Sequence, residues 1–187
     1  MTTLYLVRHG LTEDNDAQLL QGISPGKLND AGVAQMERLA DELCGQRFDA
    51  IIASDLQRAI DSAHIIARGR GQEVATTPLL RERDWGDFTG RFIPDLKDLP
   101  FPANVESLNH LLDRARQFIV WVQTQYPSQT VLAVGHGIIN KAVQAVHYGK
   151  PMRELNKMGN AECRILHLDG AAAKAVPEAP DAKLNLK

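Results

Sequence analysis

Short apolar runs alternate along this chain with stretches of helical periodicity, and that alternation limits the folds available to it. Thr3–Val7 reads as a buried strand. Asn29 or Asp30 then opens a helix with Val33, Met36, Ala40 and Leu43 on one side, closed by Gly45. Phe48–Ala53 is a second apolar strand. Ser54 and Gln57 have capping-box spacing and start a helix with Leu56, Ala59, Ile60, Ala63 and Ile66 inward. Glu73–Thr76 is a short third strand, ended by Pro78. Asn104 is expected to cap a long helix carrying Leu108, Leu111, Leu112, Ala115, Phe118, Ile119 and Val122. Val131–Val134 is a strand, Gly137–His147 a helix and Arg164–Leu168 a last strand. The order β-α-β-α predicts a three-layer α/β/α fold with a mostly parallel central sheet.

Between the third strand and the long helix, 81–103 has weak periodicity and holds Gly86, Gly90, Pro94, Pro100 and Pro102. It reads as a long loop, and loops of that length in compact domains tend to carry function. The chain of 187 residues suits one domain, expected over 1–169. Its end, 170–187, is rich in Ala, Pro and Lys and is expected to be a flexible tail.

A net charge of -2 gives no reason to expect nucleic-acid or membrane-surface binding. No apolar run approaches the ~18 residues that span a bilayer. The N-terminus lacks the pattern of a signal peptide, so a cytoplasmic protein is the expectation. Cys44 and Cys163 match no zinc or redox spacing and are expected to be buried, reduced thiols.

Parallel strands bring ligands to the edge where their carboxyl ends lie. Three such ends carry unusual residues. Arg8, His9 and Gly10 follow the first strand; Ser54, Asp55 and then Arg58 follow the second; Gly135, His136 and Gly137 follow the Val131–Val134 strand. Two arginines, two histidines and two helix N-termini would converge there, which is an anion site. A neutral imidazole can take a phosphoryl group covalently while cations offset charge on the equatorial oxygens. Glu82, just before the long loop, is placed to protonate the leaving oxygen. No metal-ligand cluster is visible, so no metal or other cofactor is expected. Gly135-His-Gly-Ile-Ile-Asn140 imitates a dinucleotide fingerprint, but Asn140 replaces its third glycine. These glycines are read instead as letting backbone approach a phosphate.

Leu6-Val-Arg-His-Gly-Leu-Thr-Glu-Asp-Asn15 resembles the signature of the histidine phosphatase superfamily, the phosphoglycerate mutase-like family. Ala53-Ser-Asp-Leu-Gln-Arg-Ala59, Leu80-Arg-Glu-Arg-Asp-Trp-Gly-Asp-Phe-Thr-Gly90 and Val134-Gly-His-Gly137 are similar to its other motifs, in the same order. The resemblance implies that His9 is the phosphorylated residue and Glu82 the proton donor. It implies a phosphate pocket of Arg8, Arg58 and His136, with Asn15 and Thr12 at its edge and Gly137 and Gly22 beside it. Relatives often have Gly-Trp where Gly22-Ile23 stands here, so the substrate contacts of that loop stay open.

The expected partner is a small-molecule phosphate monoester. Hydrolysis is expected over phosphoglycerate mutase-type transfer, because little chain between Glu82 and His136 is left to form a lid. A silent phosphate-binding module on the same fold is the third reading. His64, His110, His147 and His167 have no supporting motif and are assigned to helix surfaces or strand packing, while Trp85 and Phe88 are expected to pack the loop onto the core. Arg81, Arg83, Arg91 and Lys97 are loop cations available to an acidic substrate.

Overall fold

In a computed structural model of the chain, which describes residues 1–169 and 174–177, five strands form one sheet in the order β3-β2-β4-β1-β5. They are β1 (Thr2–Arg8), β2 (Ala50–Ser54), β3 (Val74–Thr77), β4 (Thr130–Gly135) and β5 (Cys163–Leu168). β1 and β2 both run parallel to β4, and β3 runs parallel to β2. Only β5, on the edge beside β1, is antiparallel.

Side-chain alternation makes the three layers. Leu4 and Leu6 of β1, Ile52 of β2, and Val131 and Ala133 of β4 face one way. They pack on α4 (Leu108–Gln125) through Leu111, Ala115, Phe118 and Val122, and on α5 (Gly137–Tyr148) through Ile139, Ala142 and Val146. Val7, Ile51, Ala53, Leu132 and Val134 face the other way, onto α2 (Asp30–Glu42) and α3 (Gln57–Ala67). A strand buried on both faces needs a continuous apolar run rather than alternation, which β1, β2 and β4 supply. The expected three-layer α/β/α architecture is present.

Helix starts depart from expectation in two places. α2 is capped as expected, with Asn29 Oδ1 accepting from Gly32 N at 2.8 Å. For α4 the cap is Ser107, whose Oγ accepts from His110 N at 3.2 Å. Asn104 instead bridges to Asp87: its Oδ1 accepts from Asp87 N, and its Nδ2 donates to Asp87 Oδ1. Nor does a capping box open α3. Ser54 ends β2 and its hydroxyl accepts from Leu56 N at 3.3 Å, which leaves Leu56 as a cap without a side-chain bond. Ser54 is taken by a bond to its own turn, and Asn104 by a pairing across 17 residues of chain.

The 81–103 stretch is anchored rather than free. Single 3₁₀ turns at Gly86–Phe88 and Ile93–Leu96 bury Phe88 and Leu96, and Trp85 and Phe88 pack on the core as expected. Arg83 stacks over Trp85 at 4.7 Å, and Arg91 lies over Phe88 at 5.4 Å. Arg81 forms a bidentate pair with Asp55. These three cations therefore serve the fold.

The cysteines were expected to be buried, and they are not: Cys44 is exposed and Cys163 half-buried, and both are free thiols. Cys44 follows the end of α2 and escapes the core; burial pushes the Cys163 thiol up to about 11. His64 and His110 lie on helix surfaces and His167 on the outward side of β5. Of the expected tail, 174–177 is described, and Lys174 N donates to Val146 O. The rest of it falls outside the described residues. Among the described residues no helix is long and apolar enough to cross a membrane.

Candidate active site

His9 leaves the carboxyl end of β1 and is buried, 2% exposed. Its Nδ1 lies 2.7 Å from the Gly10 carbonyl oxygen, so Nδ1 carries the proton and Nε2 the lone pair. Burial first, then the Arg58 and Arg8 charges, hold the ring's pKa well below the ordinary histidine value, against the Gly10 bond. A neutral ring whose lone pair lies on Nε2, facing the cavity, is the form that can act as a nucleophile.

The backbone around His9 is fixed from four sides. Gly10 N donates to Ser62 Oγ at 3.1 Å, and His9 N to Gly135 O at 3.1 Å. Asn160 Nδ2 donates to His9 O at 3.2 Å, and Leu11 N to Gln35 Oε1 at 2.9 Å. The turn also lies directly on α2. A Cβ on Gly10 would stand 2.5 Å from Gly32 O, and one on Gly32 would stand 2.0 Å from Leu11 O.

Arg58, in the first turn of α3, faces His9 with Nε 3.3 Å from Nε2. Its other nitrogens hold carbonyls of the 22–25 turn: Nη2 donates to Gly22 O at 2.8 Å, and Nη1 to Ser24 O and Pro25 O. Burial draws its pKa down to about 10, with Glu82 and Asp14 opposing. Gly22 sits at φ +51, which suits glycine, and a Cβ there would meet Thr89 Oγ1 at 2.9 Å. Arg8 is held by Nη1, which donates to Met158 O at 2.7 Å, while its buried Nε has no hydrogen-bond partner among the described residues.

His136 follows β4 and stands at the N-cap position of α5 without a side-chain cap bond, at 0% exposure. Its ring centroid is 5.1 Å from that of His9. Burial, followed by the charge of Arg58, keeps it neutral by lowering its pKa well below the ordinary value. Among the described residues neither of its ring nitrogens has a hydrogen-bond partner. A neutral ring carries one N–H, and leaving it unpaired is costly; an anion accepting from that N–H would relieve this part of the cost.

Glu82 lies across the N-terminus of α5. Its Oε1 accepts from Ile138 N, Ile139 N and Arg83 N, at 3.1, 3.0 and 2.9 Å. Oε2 shares only the Ile138 donor, at 3.0 Å, and is the oxygen with spare capacity. The helix end both positions the carboxyl group and aims it.

Arg8, His9, Asn15, Gly22, Arg58, Glu82 and Gly137 line one inner cavity of about 80 Å³. Trp85 and Lys157 also line it. Thr12 does not line it. Thr12 is fully buried behind, capping α1 (Glu13–Asp16) and donating to Gln21 Oε1 at 3.0 Å. Asn15 is steadied by Asn160, whose Nδ2 donates to its Oδ1 at 3.2 Å. A larger cavity of about 600 Å³ shares Glu82 as a wall and reaches Ile23, Asp84, Asn104, Ser107 and Arg114.

The glycines of the fingerprint-like stretch are also crowded by side chains. A Cβ on Gly135 would stand 2.2 Å from Asn140 Oδ1, and Asn140 Nδ2 donates to Val7 O. A Cβ on Gly137 would meet Lys157 Cδ at 3.2 Å and Arg8 Cζ at 3.5 Å. The sequence reading missed Lys157, Asn160 and Ser62, since none stands in a recognisable motif. Among the described residues no group of three or more His, Cys, Asp or Glu side chains is placed to hold a metal.

Residues 4–178 match the family described as histidine phosphatase superfamily (branch 1). A probable phosphoglycerate mutase, GpmB, of Proteus mirabilis is 42% identical over 184 residues, covering 90% of this chain and 85% of that protein. A metal-independent phosphoserine phosphatase of Arabidopsis thaliana is 30% identical over 190 residues, covering 90% of this chain and 77% of that one. Among solved structures, YhfR of Bacillus stearothermophilus superposes with a TM-score of 0.84 at 25% identity, covering 99% of this chain and 98% of that one. The converging strand ends and these relatives together carry one conclusion: the chain belongs to the histidine phosphatase superfamily, branch 1.

Proposed function

We propose that the protein hydrolyses small phosphate monoesters through a phosphohistidine on His9. The observation that carries this is the neutral His9 ring, its Nδ1 tied to Gly10 O and its Nε2 facing the arginines of the cavity. The phosphoryl group enters beside Arg8, Arg58 and His136. His9 Nε2 attacks phosphorus as the ester P–O bond breaks, and Glu82 gives its proton to the departing alcohol oxygen. Water then attacks phosphorus from the vacated side and passes a proton to Glu82. The P–N bond breaks, and its electron pair returns to Nε2. Throughout, the cations and the His136 ring offset charge on the three equatorial oxygens, the main demand of phosphoryl transfer.

The alcohol portion has room in the larger cavity, because Glu82 borders both spaces. Hydrolysis is favoured over retention of the phosphoryl group because 81–103 lies packed on the core and forms no separate cover. The 42% identity with a probable phosphoglycerate mutase favours the second reading, transfer between phosphoglycerates.

Rapid quenching with p-nitrophenyl phosphate, then mass spectrometry, is the test. It should find phosphate on His9, and His9→Ala should remove both the adduct and turnover. Full activity in that folded variant would sink the proposal. Equilibration of 3- and 2-phosphoglycerate faster than phosphate release would replace hydrolysis with the mutase reading.

A further inference from the structure

We propose that Lys157 is a phosphate-binding residue, its ammonium taking a phosphoryl oxygen on the Arg8 side of the inner cavity. The inference rests on the reading above that this cavity receives a phosphoryl group.

Lys157 lines the cavity together with Arg8, His9, Arg58 and Glu82. Its stem packs over Gly137, beside the Arg8 guanidinium, where a Cβ would meet Lys157 Cδ at 3.2 Å and Arg8 Cζ at 3.5 Å. It is half-buried, and among the described residues its ammonium has no hydrogen bond or ion pair. A cation brought to the rim of a cavity beside another cation, with no counter-ion, loses hydration and gains repulsion. A bound anion reverses both.

The segment that presents Lys157 is fastened to the nucleophile's own strand. Met158 O accepts from Arg8 Nη1 at 2.7 Å, and Asn160 Nδ2 donates to His9 O at 3.2 Å. Ala161 N reaches the carbonyls of Arg8 and His9 at 3.1 and 3.2 Å. Lys157 is thus held in register with the phosphate-facing residues rather than extended into solvent.

The charge balance agrees. Arg8, Arg58 and Lys157 are the cations of the cavity and Glu82 its carboxylate. His9 and His136 are neutral. Lys157 is therefore one of three cations on the cavity's wall, and its removal takes away a third of that positive charge.

The ammonium's pKa is lowered by burial first, then by Arg8 and Lys141, with Glu82 opposing. These are the charged groups that act on it from β1, from the 81–103 stretch and from α5. Phosphate affinity should therefore decline at alkaline pH as Lys157 loses its proton.

The probe is inorganic phosphate, measured as a competitive inhibitor of p-nitrophenyl phosphate hydrolysis, across pH, in wild type, Lys157→Met, Lys157→Gln and Lys157→Arg. Both neutral variants should weaken phosphate about tenfold, the worth of one charge-assisted hydrogen bond, and show a shallower alkaline decline, the remainder coming from Arg58. Lys157→Arg should restore affinity to within about threefold and move the decline upward. Phosphate affinity within about twofold of wild type in both neutral variants would overturn the inference. His9→Ala reports separately on the reading beneath it: an inactive His9→Ala with unaltered Lys157 variants removes only the role of Lys157.

Discussion

The His136 imidazole faces that of His9 with ring centroids 5.1 Å apart, and among the described residues neither His136 nitrogen has a hydrogen-bond partner. Two neutral, fully buried rings at one point make a site that is costly when empty. Both have pKa values held well below the ordinary 6.5, by burial first and then by Arg58. As pH falls through 6.5 the unfolded chain takes up protons that the folded rings refuse. Stability therefore declines below 6.5, by up to about 1.4 kcal/mol per pH unit for each ring, until the folded values are reached. Thermal melts from about pH 7 down to about pH 5 should show this slope, and His136→Asn should flatten it. An unaltered slope in that variant would exclude His136 as a source. Because the active His9 ring is the neutral one, kcat/KM should hold its plateau below 6.5 as well.

Glu82 is presented by α5 with Oε2 as its freer oxygen. A proton donor matters most when the leaving alcohol is a poor one. Glu82→Gln should lower kcat about 10²-fold or more for an alkyl phosphate and far less for p-nitrophenyl phosphate. Equal losses on both substrates would make Glu82 a structural group.

Arg114 supports Glu82 without lining the inner cavity. It forms a buried, bidentate pair with Glu106 and donates to Leu79 O, Arg81 O and Glu82 O. Removing one partner of such a pair leaves a buried charge uncompensated. Arg114→Met should cost about 3 kcal/mol of stability by denaturant titration and lower kcat more than it raises KM. Unchanged stability would mean that Glu106 finds another partner.

Gly32 has a steric duty to the nucleophile. A Cβ there would stand 2.0 Å from Leu11 O, two residues past His9, and backbone cannot yield as a flexible side chain can. Gly32→Ala should destabilise by ~3 kcal/mol and depress kcat, because the turn carrying His9 must shift. Wild-type melting and turnover together would show that α2 moves instead.

His9, Arg58, Glu82 and His136 were legible because each stands at a fixed offset from an apolar strand, within a recognisable motif. Local pattern places a residue at a strand end, and parallel pairing does the rest. The caps were less legible. Asn104 and Ser54 have capping chemistry, but each found another backbone partner, Asp87 N for one and Leu56 N for the other. The glycines were legible as special, but the side chains that crowd them were not: Asn140 Oδ1 at Gly135, and Lys157 and Arg8 at Gly137.

The sequence by itself determined the layered α/β architecture and the strand-end residues, because both rest on periodicity and short-range spacing. Tertiary structure alone decided the antiparallel direction of β5, the orphaned nitrogens of His136 and the place of Lys157. Each of these depends on segments far apart in the chain. Whether a buried polar atom is satisfied, or a lysine lacks a counter-ion, is settled by every group folded against it, and no local pattern records that.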